Sequence, residues 1–137
     1  MELETEGFTE RDHTADWELE VWAPDLPALL VEAARGMYSL SGTQVQEYPI
    51  VTRSFELSAI DAEGLLVSFL QELLYFAEME DIAFNKLSLK VDGYDLQASL
   101  QGGKLHTQAK EIKAVTYHNM SIRETERGLE VCIVFDV

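Results

Sequence analysis

Leu65, Leu66, Phe69, Leu70, Leu73, Leu74 and Phe76 recur at helical spacing, whereas the runs on either side of them alternate residue by residue. A period near 3.6 gives a helix with one apolar face, and a period of two gives a half-buried strand. The helical stripe therefore belongs in a core, laid against a sheet. Asp61 stands where an N-cap is needed, and the acidic stretch from Glu78 to Asp81 closes the helix.

The same rules read the rest of the chain. Residues 18–23 alternate, with Leu19, Val21 and Ala23 on one face and Glu18, Glu20 and Trp22 on the other. Asp25 and Pro27 then open a helix carrying Leu26, Leu29, Leu30, Ala33 and Met37. Residues 39–48 are polar and turn-rich, with Gly42 and nearby Pro49, and read as a loop. Val51, Arg53, Phe55 and Leu57 share one face of a second strand, with Arg53 at an edge or end position. Leu87, Leu89 and Val91, then Asp92 and Gly93, then Tyr94, Leu96, Ala98 and Leu100 spell a hairpin with a two-residue turn. Gly102 and Gly103 are expected to break its second strand. Further strands are expected at 114–122 and 129–135, joined through 124–128. The order strand, helix, strand, helix, then four strands predicts a single α+β domain over residues 1–137. Its two helices cover a mostly antiparallel sheet.

Composition narrows the function. A length of 137 residues with 47% hydrophobic content suits one folded domain. No apolar run approaches the roughly 20 residues that span a bilayer. The start Met1, Glu2, Leu3, Glu4 has neither a basic nor an apolar signal region, so no membrane association and a cytoplasmic location are expected. Cys132 is alone in an apolar strand pattern and reads as a small buried hydrophobe. Ten basic against 25 acidic residues give a net charge of −15. Such a surface repels phosphate, so no direct nucleic-acid binding is expected. It suits docking on a basic protein partner, or it serves solubility.

Candidate chemistry gathers at the ends of the chain. Asp12, His13, Thr14, Ala15 and Asp16 fall outside any helical pattern. Asp136 follows Val131, Ile133 and Phe135 at the end of an alternating strand. If the two ends meet, their carboxylates offer oxygen donors to a hard cation such as Mg²⁺ or Ca²⁺. The alternative is ordinary: Asx turns for Asp12 and Asp16 and a solvated position for Asp136. His13 and His118 suit acid–base work or a structural hydrogen bond. A single Cys and no His-x₃-His give zinc no support. Lys110 and Lys113 bracket Glu111 and read as surface ion pairs or as contacts to a partner or phosphate.

These residues also carry a family resemblance. The run from Asp12 to Asp16 is similar to the opening signature of the archeases. Glu111, Ile112, Lys113, Ala114, Val115, Thr116, Tyr117 and His118 resemble their second signature, and Phe135, Asp136 and Val137 their acidic C-terminus. Three blocks in order, with a helical middle, span essentially the whole chain. Trp17 departs from the smaller aliphatic residue expected after the first signature.

The resemblance implies a strand–helix–strand–strand (SHS2-like) core. It also implies a divalent-cation site, Ca²⁺ or Mg²⁺, built on Asp16 and Asp136 with Asp12 and the Val137 carboxylate as further oxygens. Lys113, His13 and His118 would contact a partner or nucleotide. The partner implied is an RtcB-type RNA ligase, which seals 2′,3′-cyclic-phosphate or 3′-phosphate ends to 5′-hydroxyl ends in tRNA splicing and RNA repair. The protein would act as its activator, promoting guanylylation with GTP and multiple turnover, rather than as an enzyme. Two other classes stay open on the residues: a metal-dependent phosphoester hydrolase, and a general protein-interaction module or chaperone.

Overall fold

A computed structural model of the protein describes residues 5–12 and 16–137, with the side chains of Arg11, Asp12 and Asp16 outside that description. The elements run β1 (Gly7–Asp12), β2 (Asp16–Ala23), α1 (Leu26–Ser41), β3 (Gln44–Val45), β4 (Val51–Ser58) and α2 (Ala62–Glu80). They continue with β5 (Ile82–Asp92), β6 (Asp95–Thr107), β7 (Ala114–Thr116), β8 (Arg123–Thr125) and β9 (Gly128–Asp136). Where one sheet was expected, the strands form two. The first has the order β1-β2-β9-β7, with β8 also on β9; the second has β3-β6-β4, with β5 also on β6. Every strand pair among the described residues is antiparallel.

Both helices start where the sequence places them. Asp25 accepts from the Ala28 amide at 2.9 Å and Asp61 from the Gly64 amide at 2.7 Å, each answering one of the free N–H groups of a first turn. Helix α1 runs past its expected end to Ser41, whose buried hydroxyl donates to the Met37 carbonyl at 3.1 Å. Gly42, with φ of 65°, then stops it in the left-handed region. The hairpin turn is shifted by one residue. Asp92 pairs with Asp95, which leaves Gly93 and Tyr94 as its two central residues and Gly93 at the position that requires positive φ.

Two further expectations fail. Gly102 and Gly103 lie inside β6, which continues to Thr107. A Cβ on Gly102 would stand 1.9 Å from the Ala83 carbonyl oxygen, and one on Gly103 would stand 2.4 Å from that of Gln46. These glycines admit two neighbouring backbones rather than ending a strand. The strand at 114–122 shrinks to β7, and a separate β8 hairpins onto β9. Trp22, on the polar face of β2, is only 9% exposed because the Arg127 guanidinium covers its ring at 4.0 Å.

The core joins the two helices to both sheets. Leu19, Val21, Val131, Ile133 and Phe135 of the first sheet meet α1 residues Leu29, Leu30, Ala33 and Met37. Leu65, Phe69, Leu70 and Leu73 of α2 meet Leu96, Ala98, Leu100 and Phe84 of the second sheet. Each Leu or Phe so buried contributes about 1.5–3 kcal/mol before the entropy of ordering is set against it. Phe76 and Phe84 add an edge-to-face pair at 5.5 Å and 88°. Arg53 sits on the inward face of β4 and resolves its charge by pairing with Glu80 of α2 at 2.7 Å.

Candidate metal centre

Strand register brings the two ends of the chain together. Asp16 is the direct partner of Asp136 in the β2–β9 pair, at the rung where the ladder begins. On its other side Asp136 is opposed by Ala114, the first residue of β7. Asp12 ends β1 opposite Trp17, so three aspartates occupy the same end of three adjacent strands. The Asp136 side chain is exposed, and Val137 follows it with its own side chain partly packed on the core.

The loop before β7 is fastened around this end. Ala109 and Lys110 both donate their amides to the Ser41 carbonyl, at 2.9 and 3.0 Å, which ties the loop to the end of α1. Ile112 is buried at 5% exposure, between exposed Glu111 and Lys113. The Lys113 amide donates to the Asp136 carbonyl at 2.8 Å. Lys110 turns its ammonium over the Trp17 ring, 3.5 Å from the centroid. From the helix side, Gln71 accepts from the Val115 amide at 3.4 Å. A cleft of 270 Å³ opens beside the loop, between Leu74, Ala77 and Glu78 of α2 and Gln108, Glu111 and Lys113.

The histidines stand apart from this arrangement. His13 lies outside the described residues. His118 comes after β7 has run away from Asp136, in an exposed turn where its ring meets the Asn119 amide at 3.2 Å. Among the described residues no group of three His, Cys, Asp or Glu side chains forms a metal cluster. The oxygen donors that the register offers are carboxylates: two aspartates opposed in the ladder, with the Asp136 side chain open to water. Oxygen donors with water to complete the shell are the chemistry that Ca²⁺ and Mg²⁺ take. Like charges at opposed positions are unfavourable, and a cation held between them would relieve that.

Lys110 and Trp17 form the contact that sequence reasoning missed. Their separation follows no helical or strand spacing, and nothing local signals it. Lys110 is one of few basic residues in the chain, and its target depends on how the loop folds.

Comparison with known proteins identifies the family and the fold. Residues 8–137 match the archease protein family (MTH1598/TM1083). The chain is 31% identical over 125 residues to the protein archease of Thermococcus kodakarensis, covering 85% of this chain and 88% of that one. It is 32% identical over 132 residues to the protein archease of Saccharolobus islandicus, covering 92% and 95%. The solution structure of Methanobacterium thermoautotrophicum protein 1598 matches with a TM-score of 0.73 and 26% identity, over 96% of this chain and 99% of that one. A Thermotoga maritima crystal structure, described as an archease and possible chaperone, shares the fold at a TM-score of 0.70 and 22% identity, over 94% and 96%. With two helices on antiparallel sheets and a family match over residues 8–137, the chain belongs to the archease family.

Proposed function

We propose that this protein is an accessory activator of an RtcB-type RNA ligase, promoting the ligase's guanylylation with GTP and its repeated turnover in tRNA splicing and RNA repair. The observation that carries the reading is the register of Asp16 against Asp136 within an archease chain. These two aspartates would hold a divalent cation, with Asp12, the Val137 carboxylate and water as further oxygens. When bound, the cation supplies positive charge suited to a nucleotide phosphate. The residues of the chain do the rest. The sheet end presents the exposed Asp136 side chain, Lys113 offers a cationic contact beside it, and the fixed loop keeps both in place. Holding reacting groups in position is worth up to about 7–11 kcal/mol of a barrier.

The net charge of −15 directs the protein to a basic protein surface rather than to RNA. Association with the ligase therefore slows as salt rises. The test is ligation by a matching purified ligase under GTP-limited turnover, with this protein added substoichiometrically. Raised product yield and faster guanylylation support the proposal. Equal yield with and without the protein overturns it. Phosphoester hydrolysis by the protein alone would point to the hydrolase reading, and binding of many unrelated clients to the chaperone reading.

A further inference from the structure

We infer that Lys110 is a positioning residue, which acts through the Trp17 ring to hold the Asp16–Asp136 rung in its cation-ready register; this rests on the cation site proposed above. The rung is the terminal pair of the β2–β9 ladder. Terminal pairs fray most readily, and two carboxylates placed opposite each other add repulsion to that tendency. Something must oppose the opening, and one short loop grips both strands. Its Lys113 amide holds the Asp136 carbonyl at 2.8 Å, which fixes the β9 side. Its Lys110 ammonium rests 3.5 Å from the Trp17 ring centroid, which fixes the β2 side at the residue after Asp16. The loop itself cannot swing away freely, because Ser41 accepts two of its amides and Ile112 is buried.

Trp17 is well placed to transmit the hold. It is opposed by Asp12 on β1 and by Phe135 on β9, so its backbone is laddered to both neighbouring strands that bear the aspartates. A cation site whose competent register is always populated binds more tightly than one that must first close. Any field of the Lys110 charge at the site acts in the opposite sense, by repelling a cation. The two effects separate experimentally, because removing the indole abolishes the grip and leaves the charge.

The experiment is calcium titration by calorimetry on the folded full chain, wild type and four variants, with circular dichroism melts for each. Lys110→Ala and Trp17→Leu should each weaken Ca²⁺ binding about two- to fivefold, the change that an exposed cation–π contact is worth. Lys110→Arg keeps both charge and stacking and should bind as the wild type does. Terbium luminescence excited through tryptophan should be bright in the wild type and fall in Trp17→Leu. Wild-type affinity in Lys110→Ala and Trp17→Leu overturns the inference, as does tighter binding in Lys110→Ala. Asp136→Asn separates the two levels. Lost binding there with full affinity in the Lys110 and Trp17 variants sinks the clamp alone, whereas unchanged binding in Asp136→Asn removes the site and the clamp with it.

Discussion

Asp16 and Asp136 are direct cross-strand partners at the first rung of the β2–β9 ladder, with Ala114 opposing Asp136 from the other side. Removing either carboxylate relieves a like-charge opposition worth roughly 0.2–1 kcal/mol. Asp16→Asn and Asp136→Asn should therefore melt no lower than the wild type in chelator. Added Ca²⁺ should raise the wild-type melting temperature by mass action and leave both variants where they were. In ligase activation the double variant should be no worse than either single one, as for residues that act as a unit. Folded single variants that still respond to Ca²⁺ and activate the ligase would show the site misassigned.

Gly102→Ala tests the close approach of β5 and β6. The added Cβ would lie 1.9 Å from the Ala83 carbonyl oxygen and 2.6 Å from the Phe84 Cα, both backbone atoms beside a bulge. Backbone cannot yield as a flexible side chain does, so the loss should reach about 3 kcal/mol or more. Gly93→Ala meets nothing within 4 Å and costs only its left-handed φ of 62°, about 1 kcal/mol. Urea midpoints for the two variants should differ in that order.

Arg127 lies over Trp22 and donates to Glu20 at 2.6 Å and to Glu130, linking the β8–β9 turn to β2. Arg127→Ala should cost about 1–2 kcal/mol, since the ion pairs are partly exposed and the ring contact adds to them. Its guanidinium also holds the Glu130 carboxyl below the usual range. A depressed native value contributes stability above the unfolded value and loses it as pH falls through the native one. The deficit of the variant should therefore shrink in acid, as read from urea midpoints at neutral pH and near pH 3.

Glu32 behaves in the opposite sense. It is 2% exposed within α1, and burial raises its pKa above 4.5 although Arg35 at 2.6 Å pulls it down; Glu6 adds to the rise. Stability from a raised acid is complete below 4.5 and is lost as pH climbs through the native value. Glu32→Gln keeps an acceptor for Arg35 without the charge. It should match the wild type below pH 4.5 and exceed it at neutral pH, and a stability difference that is constant with pH would refute this.

The helices were legible because their signals are local. Asp25 and Asp61 cap within three residues, and Leu65 to Phe76 repeat at one period. The hairpin was legible because Gly93 has a single role there. What sequence reading missed depends on partners remote in the chain. Gly102 looked like a breaker because a strand glycine and a turn glycine are identical until Ala83 is seen beside it. Residues 114–122 alternate well enough for a long strand, yet only Ala114–Thr116 finds β9 as a partner before the chain turns at Tyr117. At the candidate site, Asp16 and Asp136 were visible as unexplained acids and as signature residues. The loop that grips them was not, because the contact of Lys110 with Trp17 joins residues far apart in the chain.

The pairing of β2 with β9 has a consequence for when the acidic rung exists at all. Each flanking unit is local: β1 turns back on β2, and β8 turns back on β9. The rung belongs to neither hairpin. It forms only when segments from opposite ends of the sequence close on one another, a long loop that is slow to shut. A ligand bound there would report the closure of β2 on β9, and a fragment holding only one of the two strands would not bind it.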